Sequence, residues 1–411
     1  MTFSWYPKAL VLIFLMVVFP FMLKSQTANE SFNRGLQLIA SQNYSLAIEQ
    51  FSEAIEIVPH FYEAYFERGR CYQHLQQPRN AIDDFTRALE FNKEFAEAYF
   101  FRAISFSAIG EHDNALKDYN SSIEKNPKNI EAYLKRSEIY IRNSSAAAAI
   151  GDLSKVIELG HKNPNVFFNR GKLYLQRHET ELAYEDFSKA LTSDPEHSEL
   201  RIERAMIYLK REKFEEAAED LSIAIYHGAN NQTLFQLRAD AFYNSEQYAL
   251  AIEDYTTLIN SYRQRNEETY FQRALSYFYA GEYDAATRDF TRAIGLNRNN
   301  ETAYIYRAEA YHRLGRDSQA LVDYRLILRI NPRNPLAYQK RGEMFFDSGK
   351  YAEALEDFNQ AIRLEPTAES YFVRATLHAQ MSNKKQACED LRLAASKGHE
   401  EAGKRAKEYC F

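Results

Sequence analysis

Across 411 residues the chain carries only 14 glycines and 10 prolines, so long helices are seldom interrupted, while 29 tyrosines and 28 phenylalanines supply apolar surface for an extended core. Its 51 basic and 57 acidic residues leave a formal net charge of −6 with no Lys/Arg-rich run, which argues against nucleic acid as a partner, because such a binder carries a basic footprint to neutralise phosphates. Length alone would allow two or three domains, but the internal pattern overrides that division.

At the N-terminus, Lys8 precedes an apolar run from Ala9 to Leu23, and the polar stretch Lys24-Ser25-Gln26-Thr27 follows. The run has the length of a signal-peptide core and falls short of the roughly 20 apolar residues a membrane span needs. Pro20 and the small Ser25 fit a signal of residues 1–25 cleaved after Ser25. Leu23 stands where a smaller residue usually precedes the cut, so an uncleaved membrane anchor stays open as the alternative. The expectation is an exported protein, periplasmic, extracellular or envelope-associated, with a secretory lumen as the alternative.

From there arginine recurs at 34, 68, 102, 136, 170, 204, 238, 273, 307, 341 and 374, always 34 residues apart except for one spacing of 35 and one of 33. A small residue follows each arginine, for example Gly69, Ala103, Ser137 and Gly171, and twelve residues further on stands an alanine, for example Ala81, Ala115, Ala149 and Ala183. Two small positions let a pair of antiparallel helices approach closely. Four residues after each alanine comes a large apolar residue such as Phe51, Phe85, Phe187, Phe290 or Phe358, placed to fill the space between neighbouring pairs. The spacing is helical rather than strand-like. Gly110, Gly281, Gly315 and Gly349 mark turns between helices, and Pro59, Pro127, Pro195, Pro332 and Pro366 mark the ends of repeats.

This pattern, carried by segments such as AYFERGRCYQHLQQPRNAIDDFTRALEFN from Ala64, resembles the tetratricopeptide-repeat family across residues 28–396. Tyr or Phe (Tyr65, Tyr99, Phe167, Tyr270) stands where that family often has Trp. The resemblance implies an all-α, right-handed superhelical solenoid of about eleven helix pairs, stable only through stacking of neighbours. The tail ACEDLRLAASKGHEEAGKRAKEYCF resembles the related SEL-like repeats and implies a capping helix over residues 397–411, with Ala402, Ala406 and Tyr409 as its apolar stripe. Cys388 and Cys410 either form a disulfide that staples this cap or remain two unpaired thiols. Cys71 has no evident partner.

Sixteen residues after each arginine except Arg34 stands an aspartate: Arg68–Asp84, Arg204–Asp220 and Arg341–Asp357 are three of ten such pairs. Gln50 breaks the rule in the first repeat. Both members flank core positions, and a buried charge needs a partner, so a ladder of ion pairs within or between repeats is expected. The planar fork of Arg suits a carboxylate.

No HExxH, CxxC, Gly-rich phosphate loop or serine nucleophile elbow is present, and the ten histidines are dispersed. Neither catalysis, a cofactor nor a metal is expected. By the resemblance, positions two before, two after, and five or six after each arginine face a peptide groove. This nominates Phe66, Arg70, Gln73, His74, Phe100, Glu138, Phe168, Lys172, Asp240, Asn244, Phe271, Glu309, His312 and Glu343. The competing assignment is that the apolar members are core. The implied function is a scaffold holding a protein or peptide partner; the alternative is a lumenal or periplasmic co-chaperone that grips unfolded chains. NxS/T sequons at Asn29, Asn43, Asn120, Asn143, Asn231 and Asn300 permit a eukaryotic lumen without deciding it.

Overall fold

A computed structural model describes the backbone of residues 19–410 and the side chains of residues 26–410. The expected signal segment and its cleavage point therefore lie outside the residues with described side chains. The described chain is all-α. It divides between Pro195 and Glu196 into two compact units. The first holds five helix pairs, from Phe19–Ala40 with Tyr44–Ile57 to Pro164–Gln176 with Thr180–Ser193. The second holds six, from Ser198–Lys210 with Phe214–Tyr226 to Ala368–Gln380 with Lys384–Ser396, followed by the helix Glu400–Tyr409.

Local chemistry sets each pair. Seven residues before the arginine, Asn129, Asn163, Asn231, Asn266, Asn300 and Asn334 accept a hydrogen bond from a first-turn backbone N–H and cap the first helix. The sequons at Asn231 and Asn300 thus fall on helix caps. The turn inside each pair needs one residue of left-handed backbone, eight positions after the arginine. Glycine fills it at Gly110, Gly281, Gly315 and Gly349, whereas Gln42, Gln76, Ser144, His178, Glu212, Glu246 and Ser382 adopt positive φ at the equivalent place.

The two small positions bring the helices of a pair together. A Cβ on Gly171 would lie 2.4 Å from the Phe187 ring, and one on Gly69 would lie 2.8 Å from Phe85. The large residues therefore press first on their own repeat, not only on the gap between neighbouring pairs. They are sealed: Phe51, Phe85, Phe187 and Phe290 are 0 % exposed. At the C-terminal end Ala402 and Ala406 pack on Ala375, Leu391 and Ala394, and Cys388 and Cys410 form a disulfide with Cα atoms 5.6 Å apart. Tyr409 departs from the expected stripe, lying 38 % exposed with the Lys384 ammonium over its ring. Cys71 is a free, buried thiol that burial pushes up to about 12.

Candidate functional site

The ten aspartates of the repeat are 2–5 % exposed, and each receives two hydrogen bonds from its arginine. Arg102 donates from Nε to Oδ2 of Asp118 at 2.7 Å and from Nη2 to Oδ1 at 2.8 Å. Arg68–Asp84, Arg204–Asp220 and Arg341–Asp357 repeat the geometry. Each pair closes within one repeat, while the third guanidinium nitrogen reaches back to the preceding one. Nη1 of Arg68, Arg102, Arg170 and Arg307 donates to Ser52, Thr86, Ser154 and Thr291 at 2.8–3.0 Å. Aromatic rings complete the cage: Arg102 lies 5.7 Å from Tyr99 and 5.9 Å from Phe106. Burial pushes the carboxyls of Asp84, Asp254 and Asp323 up, against the opposing pull of their arginines. Each guanidinium commits its Nε and Nη2 edge to an aspartate inside the fold, so the ladder is architecture and offers little to an external anion.

The nominated groove positions divide. Phe66 and Phe100, 7 % and 9 % exposed, belong to the core and not to a groove. Phe66 packs against Phe85, Phe95 and Phe101, because on this helix the position two before the arginine points into the pair. Phe168 and Phe271 are half-buried against Phe187 and Phe290. Gln73 bridges to the Phe101 carbonyl and the Ser105 hydroxyl of the next repeat, and His74 stacks on Tyr44 at 4.4 Å.

Most charged candidates are neutralised by near neighbours: Arg70 by Glu67, Glu138 by Lys135, Glu309 by Arg313 and Glu343 by Lys340, and His312 Nδ1 lies 2.8 Å from Oδ1 of Asp317. Lys172 is exposed, with its ammonium over the Phe168 ring.

Asp240 and Asn244 have a different environment. Both line an open cavity of about 500 Å³ between the helices Gln232–Asn244 and Glu267–Tyr279, bordered by the link 261–266. This link is where the period lengthens to 35; its counterpart between Lys125 and Ile130 is 126–129. The longer link places Gln264 at the cavity wall, held by its N–H on the Leu258 carbonyl at 2.9 Å. Tyr255 and Gln236 donate to Oδ1 of Asp240 at 2.6 and 2.9 Å. Burial pushes the Asp240 carboxyl up, and burial followed by the Asp240 charge pushes Tyr255 strongly up.

Beside the cavity, Tyr243, Tyr279 and Tyr306 line up on three consecutive first helices, with ring centroids 6.1 and 6.3 Å apart. Tyr279 is 46 % exposed. These tyrosines were not nominated from the sequence, although Tyr243 and Tyr279 stand five and six residues after their arginines. In the first unit, Gln73 and His74 border a more apolar cavity of about 560 Å³ with Phe101 and Ile104. Among the described residues no cluster of His, Cys, Asp and Glu has metal-binding geometry, and no helix is long and apolar enough to cross a membrane.

Comparison with known families matches two tetratricopeptide-repeat models, to residues 62–95 and 168–231, and the ETO1 C-terminal domain model to residues 239–404. No curated protein sequence matches the chain. Among solved structures, MamA is 20 % identical over 42 % of this chain and 95 % of its own, with a TM-score of 0.39. Yeast Tom70 is 14 % identical over 87 % of this chain and 97 % of its own, with a TM-score of 0.36. The complex of Naa15/Naa10 bound to HypK-THB is 13 % identical over 89 % of this chain and 68 % of that chain, with a TM-score of 0.46. Likeness at this level transfers no partner and no activity.

Proposed function

We propose that this chain, which belongs to the tetratricopeptide-repeat family, is a non-catalytic scaffold of an exported compartment. It holds an extended segment of a protein partner against the first helices of residues 232–313. The observation that carries the reading is the run of Tyr243, Tyr279 and Tyr306 beside a polar cavity. Rigid, amphipathic rings give contact area at low entropic cost, and polar groups between them fix register, which suits a peptide laid across successive helices. Export is supported by the apolar run Ala9 to Leu23 after Lys8 and by the Cys388–Cys410 disulfide, since such bonds persist in oxidising compartments.

The test is a crosslinking pull-down from envelope or secretory extract, using wild-type chain beside a Tyr243→Ala/Tyr279→Ala/Tyr306→Ala variant. One or two partners captured by the wild type and lost by the variant are expected. Equal recovery by both baits would overturn the assigned face, and many unrelated unfolded clients would favour a holdase instead.

A further inference from the structure

We propose that the cavity around Asp240 is a binding site for a primary ammonium or guanidinium group, supplied by a lysine or arginine side chain of the partner. The inference deepens the scaffold reading and rests on it.

The first argument is charge. Each of the ten buried aspartates of the ladder has an arginine on both of its oxygens. Asp240 is half-buried, yet no Lys, Arg or His forms an ion pair with it among the described residues, and the neighbouring charge is the like-signed Glu268. Withdrawing a carboxylate from water without a countercharge is unfavourable, and a fold that supplies that countercharge ten times elsewhere leaves this one open.

The second argument is the polarity of the amides. Gln236 donates its N–H to Oδ1 of Asp240 and Asn244 donates to the Asp240 backbone carbonyl. Gln264 donates to Oε1 of Gln236 at 3.4 Å and Gln272 to Oε1 of Glu268 at 2.8 Å. Each of these four amides therefore spends one N–H on the protein. Oε1 of Gln264 is buried with no hydrogen-bond partner, and no described hydrogen bond reaches Oδ2 of Asp240. Unpartnered acceptors around a carboxylate call for a ligand with several N–H donors and positive charge, which ammonium and guanidinium groups provide.

The third argument is shape. A volume of about 500 Å³ lies within the range of about 300–1,000 Å³ usual for small-ligand sites. Tyr243 on its wall offers an apolar face to the methylene stem of a long cationic side chain. The extra residue in the link 261–266, with Arg263 in left-handed backbone at φ 55°, brings Gln264 into place, so the departure from the period and the unusual chemistry coincide.

The test is an NMR titration of the full chain with N-acetyl-lysine methylamide and N-acetyl-arginine methylamide, with N-acetyl-norleucine methylamide as the uncharged control and putrescine as a free diamine. Saturable shifts of the amides of Gln236, Asp240 and Gln264 are expected with the two cationic side chains and not with norleucine. Asp240→Asn should weaken binding by roughly 10- to 100-fold, the scale of hydrogen bonds to a charged group, without lowering Tm. Gln264→Leu, outside the ion-pair ladder, provides a second variant and should also weaken binding. Equal shifts with norleucine, an unaffected Asp240→Asn variant, or no saturable shift with either cationic probe would each overturn the proposal. Markedly tighter binding of putrescine would overturn the assignment to a partner side chain. Loss of the cation site while the tyrosine-dependent capture persists leaves the scaffold reading intact, and the reverse result separates the two equally well.

Discussion

The repeats built around Arg102 and Arg238 share one skeleton and use their buried acids differently. In the first, Asp118 is gripped at 2.7 and 2.8 Å by Arg102, which also reaches Thr86 of the preceding repeat. In the second, Asp254 repeats that arrangement with Arg238 and Ser222, but a second acid, Asp240, sits on the first helix with only Tyr255 and Gln236 as donors. The difference teaches how to separate architecture from function in a repeated fold. An acid that recurs at a fixed offset with its arginine serves the stacking of repeats. Acids also stand two residues after the arginine at Glu138, Glu309 and Glu343, each paired with a basic neighbour; Asp240, beside a lengthened link and without such a partner, stands outside that pattern.

The comparison breaks most visibly at Asp118. Changing Asp118 to Ala leaves the Arg102 guanidinium buried without its carboxylate, and removal of one member of such a pair costs about 3–5 kcal/mol. Because stability in stacked repeats is a sum over neighbours, the loss should appear as faster amide hydrogen exchange in residues 96–125, with distant repeats less affected. Unchanged exchange there would mean that the ladder holds nothing together.

A smaller effect is expected where the arginine crosses to the preceding repeat. Ser154→Ala removes the acceptor that Arg170 Nη1 reaches at 2.8 Å and should cost about 1 kcal/mol, read as a shift in the urea midpoint. A loss as large as that of Asp118→Ala would put the inter-repeat bond, rather than the intra-repeat pair, at the centre of stacking.

Much of this architecture is legible in the sequence because it rests on residue types repeated at fixed offsets. Period, small positions, alanines and Arg–Asp spacing each constrain a side chain, and eleven repetitions make the constraint visible. The hydroxyl contact was present in the sequence as well, as Ser52, Thr86, Ser154, Ser222 and Thr291 two positions after the aspartate or its equivalent, but the mixed residue types disguise it. The left-handed turn position is less legible, since backbone geometry rather than a side chain is repeated there, and residues as different as Gln76, His178 and Glu246 satisfy it. At the candidate site, offsets brought Asp240 and Asn244 to attention but not Gln264, which depends on the path of one longer link. The same offsets misplaced Phe66 and Phe100, because a position two before the arginine on these helices turns toward the Phe85 and Tyr119 rings.

The smallest expected effect is the sharpest discriminator. Asp240→Asn keeps an oxygen for the Tyr255 hydroxyl and the Gln236 amide and removes a half-buried charge that has no countercharge, so at pH 7 stability should stay within about 1 kcal/mol of wild type and not fall. Its pH dependence follows from the raised carboxyl pKa, caused first by burial and reinforced by Glu268. A native pKa above the unfolded value means that the folded wild type binds its proton more tightly. Relative to the Asn variant, wild-type stability is therefore fully present below the unfolded value of about 3.9 and declines as pH rises through the native value. The titratable groups facing Asp240 are Glu268 and Tyr255, and the strongly raised Tyr255 stays neutral over this range. Chemical denaturation of both proteins at acid and neutral pH should show the variant gaining on the wild type as pH increases. The opposite slope would show that the carboxylate is stabilised in its charged form by the fold itself, and Asp240 would then join the ladder acids as architecture.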